Sequence, residues 1–337
     1  MLKNHWYAIF ESQRIKGGAR PVSIRRFGER LVLWRTSDGT LSCLQDRCPH
    51  RGTALSLGKI QDNCIQCPYH GIRFDHRGEC AGIPANGTEC KPPVGFRARS
   101  YPVREAHGLI WLWWGEPRVQ LPAIPWFDGY EGERGLPYTQ ISRETPISFV
   151  RLMEANLDFG HFYFVHRLFS PPTLGPIAAA FGCEIRGDLI EVTGNLRKEG
   201  LVSAKNQGFP IYGAVKFPGL ASYDTPKRER SIIACAPVDE KHSWFVARVF
   251  LPPGKPKWVA WFSAWVFTRI VFPILHRQDL RVMTAQDPPE SGLETDWLAA
   301  KADSGIAAYH QLWRKNQREE KPAQTNPFRD NFTSPAP

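Results

Sequence analysis

Two short segments constrain this chain more than anything else in it: Cys48-Pro49-His50-Arg51-Gly52 and Cys67-Pro68-Tyr69-His70-Gly71, with sixteen residues between His50 and Cys67. Each offers one thiolate and one imidazole on a tight turn, where Pro fixes φ and Gly lets the backbone fold back. Two such turns facing each other supply two sulfur and two nitrogen ligands to one metal centre. Structural zinc also accepts two Cys and two His. Zinc fingers, however, pair Cys with Cys on one knuckle and His with His on a helix, whereas here each loop contributes one of each. That split is the ligand set of a [2Fe–2S] cluster in which two Cys hold one iron and two His the other. Cys48, His50, Cys67 and His70 are therefore the expected cluster ligands.

A second constellation follows in Glu154-Ala155-Asn156-Leu157-Asp158-Phe159-Gly160-His161-Phe162-Tyr163-Phe164-Val165-His166. Asp158 and His161 are three apart and share a face if the segment is helical. A break or tightening of that helix would bring His166 alongside His161. Two His and one carboxylate form the facial triad that holds Fe(II) and leaves positions open. A pair of core histidines is the plainer alternative, but unpaired His is uncommon amid so many Phe. The third ligand must be a distant carboxylate, with Asp279, Asp287, Asp296 and Asp303 as candidates. In Gln278–Gln286, Asp279, Val282 and Gln286 fall on one helical face.

Up to residue 117, short apolar runs (Leu31–Trp34, Leu41–Leu44, Leu109–Trp114) alternate with turns at Ser37-Asp38-Gly39, Arg77-Gly78 and Gly115-Glu116-Pro117, the pattern of an all-β domain. Leu121–Pro137 reads as a linker. Ile147–His166 has helical spacing, 183–251 returns to strand-like runs, and Lys257–Gln286 and Asp296–Trp313 are helical candidates before a polar tail. Strands in the middle with helices at both ends predict an α+β second domain, so the chain divides into 1–117 and 118–337. Cys43, Cys64, Cys80, Cys90, Cys183 and Cys235 read as structural. Eight Cys do not make the dense framework of a small secreted domain, and Met1–Tyr7 lacks the apolar core of a signal peptide, so a cytoplasmic location is expected.

The two metal motifs together resemble the Rieske non-heme iron oxygenases, in the monooxygenase and demethylase branch that lacks a β subunit. The resemblance implies an N-terminal Rieske domain and a helix-grip (START-like) catalytic domain with an antiparallel sheet and C-terminal helices. It makes His161, His166 and Asp279 the ligands of a mononuclear Fe(II). Asp158 becomes the carboxylate that links a ligand His to a cluster His of a neighbouring subunit in a homotrimer. It further implies that O2 hydroxylates or oxidatively dealkylates an apolar or aromatic small molecule. The chain departs from the pattern at Ile72, where many relatives have Trp, and at Ala155, where many have Asn; here Asn156 stands next to it.

No G-x-G-x-x-G follows a strand, so electrons must come from a separate ferredoxin or flavin reductase. The net charge of +10 is not organised for nucleic acid: Lys227-Arg228-Glu229-Arg230 is interrupted by an acid, and no nucleic-acid-binding signature is present. A basic face steering an acidic electron donor gives that charge a use. Trp258–Leu275 holds one charge, Arg269, and Pro273, which is expected to interrupt a helix. A buried or pocket-covering helix is the preferred reading. Peripheral membrane contact is the alternative, because Trp258, Trp261 and Trp265 make one aromatic stripe.

Purified protein is expected to be brown and, once reduced, to give the paramagnetic resonance signal of a His-ligated [2Fe–2S] centre. His70→Cys should lower its reduction potential, because thiolate adds negative charge to an iron that His leaves neutral. Colourless protein with one zinc and no sulfide would refute this assignment.

Overall fold

The computed structural model describes residues 1–87, 92–128, 137–200, 208–224, 230–251, 256–289, 291 and 301–320. Cys90, Asp296, Lys227–Glu229 and part of the expected linker lie outside these. Aromatic and β-branched runs punctuated by turns give ten strands in the N-terminal part: β1 (His5–Glu11), β2 (Val22–Arg26), β3 (Glu29–Arg35), β4 (Leu41–Gln45), β5 (Lys59–Gln61), β6 (Cys64–Gln66), β7 (Arg73–Phe74), β8 (Cys80–Gly82), β9 (Val103–Ala106) and β10 (Leu109–Trp114). They form three antiparallel sheets, ordered β1-β10-β9, β2-β3-β4 and β5-β6-β7-β8.

The middle of β3 is apolar without interruption, and the reason is visible in the packing. Its Leu31 and Leu33 face the main core of the molecule, while Val32 and Trp34 face a smaller core around Cys48 and Cys67. Alternate residues of a strand point to opposite faces, so a strand between two cores must be apolar on both. The smaller core, completed by Leu44, Leu55, Ile65, Ile72 and Phe74, is the base on which the two Cys/His loops stand.

A seven-stranded antiparallel sheet follows, ordered β11-β17-β16-β15-β14-β13-β12, from β11 (Tyr138–Thr145), β12 (Ile177–Arg186), β13 (Leu189–Arg197), β14 (Phe209–Lys216), β15 (Leu220–Asp224), β16 (Arg230–Pro237) and β17 (Ser243–Phe250). Helices α1 (Phe149–Ala155) and α2 (Phe162–Val165) carry the His motif. Helices α3 (Lys257–Val266) and α4 (Phe272–Met283) make one long rod, and α5 (Ser304–Glu320) packs on β12 and β13. The architecture is α+β, as the sequence leads one to expect. The strand β11 was not anticipated: its residues, TQISRE at the centre, mix polar and apolar positions without a run that stands out.

Two expectations about the long helix are corrected. Pro273 does not interrupt it, because a π-helical turn at Phe267–Val271 joins α3 to α4 just ahead of the proline. Widening the turn accommodates a residue that lacks an N–H and would clash with the carbonyl four positions back. Nor is the helix buried: of the expected buried or pocket-covering helix the pocket-covering half holds, since Phe267, Phe272 and Leu275 border a cavity, while Trp258, Trp261 and Trp265 are exposed. The buried face is Ala260, Ala264 and Thr268, and Thr139 of β11 donates its hydroxyl to the Ala264 carbonyl at 3.0 Å. Small residues allow that close approach, and the large ones are left pointing outward.

The two halves share a continuous core that includes Trp6, Tyr7 and Trp113 on one side and Phe149, Trp244 and Trp313 on the other. At their junction the Arg26 guanidinium is almost fully enclosed. It lies 4.9 Å from the Trp244 ring, 3.0 Å from a Glu144 carboxylate oxygen, and donates to the carbonyls of Ile9 and Arg25. Burial lowers its pKa to about 10, which still leaves it charged at neutral pH. Arg26→Ala removes all of these donors and the ring contact together, and is expected to cost about 3 kcal/mol. Urea unfolding followed by tryptophan fluorescence measures it.

Candidate metal centres

The two Cys/His loops are built alike. Cys48 N–H donates to Thr53 O and Gly52 N–H to Cys48 O, both at 2.8 Å; Cys67 N–H donates to Ile72 O at 2.8 Å and Gly71 N–H to Cys67 O at 3.0 Å. Each loop closes at a Gly with positive φ, +74° at Gly52 and +71° at Gly71, a backbone region that side chains other than Gly rarely adopt. The loops face each other. The Cys48 and Cys67 thiols are hydrogen-bonded together on the buried side, and the His50 and His70 Nδ1 atoms approach to 3.2 Å on the exposed side. Burial pushes the Cys48 thiol up to about 11. Two enclosed sulfurs and two outward nitrogens, each pair drawn from both loops, fit a cluster whose irons carry different ligands. Ile72 is buried in the small core, and Tyr69 lies against the His70 ring at 3.9 Å between centroids.

The second site forms where the expected helix fails. The helical segment over Ile147–His166 is broken: α1 ends at Ala155, and the chain turns through Leu157–Gly160 before α2. Asp158 causes the break as much as Gly160. Its carboxylate accepts the backbone N–H groups of Gly160 at 2.9 Å and His161 at 3.3 Å, an alternative to helical pairing. The turn sets His161 and His166 at the two ends of α2, with ring centroids 5.2 Å apart.

Asp279 of α4 meets them both. Its Oδ1 lies 3.5 Å from His161 Nε2 and 3.0 Å from His166 Nε2, and one donor atom from each of the three residues lies within 4.8 Å of the others. The opposite nitrogens are also engaged: His161 Nδ1 is 3.3 Å from Asp158 Oδ2, and His166 Nδ1 is 2.9 Å from Gln278 Oε1. An acceptor on each Nδ1 favours the tautomer that leaves Nε2 free, the arrangement that suits a metal ligand. Burial works to raise the Asp158 pKa, but hydrogen bonds from the His161 ring and from the two backbone N–H groups outweigh it and hold the carboxyl below its usual range. Burial works to lower the His166 pKa, and Asp279 and Gln278 together raise it. Two imidazoles and a carboxylate converging on one space fit a divalent iron.

Asp287 and Asp303 do not join this cluster. They line a surface groove on the Asp158 side, together with Arg151 and Val165. Asn156 turns away from Asp158; its amide donates to Leu152 O at 2.7 Å and its side-chain oxygen accepts the Tyr223 hydroxyl at 2.7 Å. The Asn156 side chain is thus tied to α1 and β15, while Ala155 borders both the groove beside Asp158 and the space next to the His/Asp cluster. Gln278 and Tyr223 were not singled out in the sequence. Gln278 carries a local signal, standing next to Asp279, but Tyr223 reaches the site from β15 and no spacing announces it. Among the described residues, no cysteine is in a disulfide, and Cys64 is a buried residue of β6.

The three converging side chains border a cavity of about 400 Å³, walled mainly by apolar groups such as Phe159, Phe162, Phe209, Ile211, Ile233 and Phe245. Asp158 lies outside it, in the groove. One face of the His/Asp cluster therefore looks into an apolar chamber and the other toward the surface.

Residues 5–102 match the Rieske [2Fe–2S] domain. The chain carries that domain and, over nearly its whole length, shares the fold of solved proteins such as dicamba monooxygenase. It is similar to the 4beta-methylsterol monooxygenase of Methylococcus capsulatus (35% identical over 187 residues, 52% of this chain and 48% of that protein). It is also similar to the oxygenase component of dicamba O-demethylase from Stenotrophomonas maltophilia (33% over 168 residues, 49% and 48%). The chain thus spans less than half the length of these curated relatives. Among solved structures, Pseudomonas putida CBB5 NdmA with caffeine superimposes with a TM-score of 0.75 at 20% identity, covering 94% of this chain and 91% of that one.

Gln278→Leu, which removes the acceptor on His166 Nδ1, is expected to weaken Co(II) binding at the His/Asp cluster by about 10- to 100-fold. Gln278→Glu, which keeps an acceptor there, should stay within a few-fold of the parent. Titration followed by the visible bands of Co(II) reads both. Unchanged affinity in the Leu variant would reduce Gln278 to a packing residue.

Proposed function

We propose that the chain is the terminal oxygenase component of a Rieske-type system, using O2 and externally supplied electrons to hydroxylate or oxidatively dealkylate an apolar or aromatic small molecule. The observation that carries this reading is the convergence of His161, His166 and Asp279 at the edge of an apolar cavity, in a chain that also carries the Rieske domain. In this reading Cys48 and Cys67 hold one iron of the cluster and His50 and His70 the other, while His161, His166 and Asp279 hold the mononuclear Fe(II). When bound, these groups supply one-electron transfer and the reaction with O2.

The chain's own residues supply position and environment. Phe159, Phe162, Phe245 and Phe272 keep water from the open side of the triad, so a ligand there is recognised by shape and apolar contact. Asp158 and Gln278 fix the two imidazoles from behind. Asp158 is the residue we assign to the subunit boundary: it borders the surface groove, where it can accept a hydrogen bond from the cluster His of a neighbour in a homotrimer. The electron donor is a ferredoxin or flavin reductase, steered by the net positive charge. The functional division is residues 1–117 for the cluster and 118–337 for the mononuclear iron, in a cytoplasmic protein. The relatives named for sterol and dicamba, and the caffeine-bound neighbour, support a ring-containing substrate.

Oxygen uptake with a surrogate reductase, screened over aromatic, terpenoid and alkaloid compounds, tests the activity; no substrate-dependent uptake from fully metallated protein would overturn it. Asp158→Asn is expected to keep both metals yet lower turnover by at least a hundredfold, since it removes a bridge and not a ligand. His161→Ala and Asp279→Ala should empty the mononuclear site and leave the cluster spectrum intact. Full iron occupancy in Asp279→Ala would move the third ligand elsewhere.

A further inference from the structure

The rod Lys257–Met283 has two unlike faces. Inward, Phe267, Phe272, Leu275, His276, Asp279 and Met283 wall the cavity. Outward stand Trp258, Trp261, Phe262 and Trp265, which are 75%, 52%, 56% and 38% exposed. At positions 258, 261, 262 and 265 these four rings share one helical face and make a continuous aromatic strip. Solitary exposed apolar residues need no explanation, but a contiguous strip of three indoles and a phenyl ring marks a surface that something covers.

We propose that this strip is a docking surface for an anionic lipid bilayer. Three observations select that occupant. Indoles are the side chains that favour the boundary between headgroups and acyl chains, being apolar with one polar N–H. The exposed charges along the rod are all cationic, Lys257, Arg269, Arg277 and Arg281, while its sole carboxylate, Asp279, is turned into the His cluster. Basic residues beside a buried apolar strip are drawn to anionic headgroups. A second copy of the chain is the natural rival, yet strip-to-strip pairing would bring two sets of these four cations together, and the trimer boundary proposed above lies at the Asp158 groove, at the other end of the rod. The rod is long and apolar enough to cross a membrane by length and composition. It lies on the surface instead, because Ala260, Ala264 and Thr268 are packed on the protein and Asp279 is held at the cluster. A chain docked this way would present to the lipid the helix that walls its cavity.

The full chain, loaded with its cluster, is tested by flotation with extruded vesicles of phosphatidylcholine alone and of phosphatidylcholine mixed with phosphatidylglycerol. It is expected to float with the mixed vesicles, more weakly at high salt, and with a blue shift of tryptophan emission. Trp261→Glu combined with Trp265→Glu should lower the bound fraction at least tenfold, and Arg269→Glu should lower binding to the mixed vesicles alone; the visible cluster spectrum reports that both variants are folded. Three results would overturn the proposal: no flotation with either vesicle, a double variant that floats like the parent, or a parent that ignores vesicles but changes oligomeric state with the double substitution. The last would assign the strip to a second copy. None of these readouts depends on turnover, so their failure is distinct from failure of the oxygenase reading.

Discussion

The Asp279 carboxylate reaches two imidazoles from a part of the chain far removed from them in sequence, and much of the second half of the structure is arranged to make that contact. In the seven-stranded sheet, α1 packs on β16 and the long rod rests on the edge strand β11. The rod must be straight enough past Pro273 to bring Asp279 into place, which is the service of the π turn at Phe267–Val271. It must also rest closely on β11, which the small residues Ala260 and Ala264 permit. A carboxylate facing two imidazoles is stable as a group only if its neighbours cooperate. Asp158 and Gln278 do so, each engaging the far nitrogen of one ring.

The Cys/His loops depend on a different device. A pair of short loops cannot hold four side chains in register by itself, and the small core beneath them does it. That core exists because β3 and β4 are apolar toward both sides: Leu33 and Cys43 go to the main core, Val32 and Leu44 to the one under the loops. The same strands therefore tie the loops to the rest of the molecule. Arg26, enclosed between Trp244 and Glu144, and Arg248, stacked 4.3 Å from Tyr138 and donating to the His107 carbonyl, pin the two halves across their shared core.

Both halves of the chain also show apolar groups facing two environments. In β3 these are two protein cores. In the rod they are a cavity and, in our proposal, lipid. In the sequence the Trp strip fits either a buried or pocket-covering helix or a membrane-facing stripe, because periodicity does not tell which stripe of an apolar helix will turn inward. The small residues decided it. Alanine on one face permits close packing against a sheet, and the bulky rings opposite are then displaced to the surface.

By itself the sequence determined the chemistry of the donors. Thiolate and imidazole on twin Pro/Gly loops, the D-x2-H-x4-H spacing, and an aspartate on a helical face are local facts, and local spacing reports them directly. The resemblance to the Rieske oxygenases rests on the same residues. The tertiary structure alone decided three things. It showed that Asp279 and not Asp287 or Asp303 meets the two histidines, because that choice depends on where a long helix comes to rest. It showed that Asp158 works through a broken turn rather than a continuous helical face, because its carboxylate competes for backbone N–H groups. It also showed that Gln278 and Tyr223 belong to the surroundings of the site: side chains converge there from separate strands and helices, and separation along the chain carries no record of that meeting.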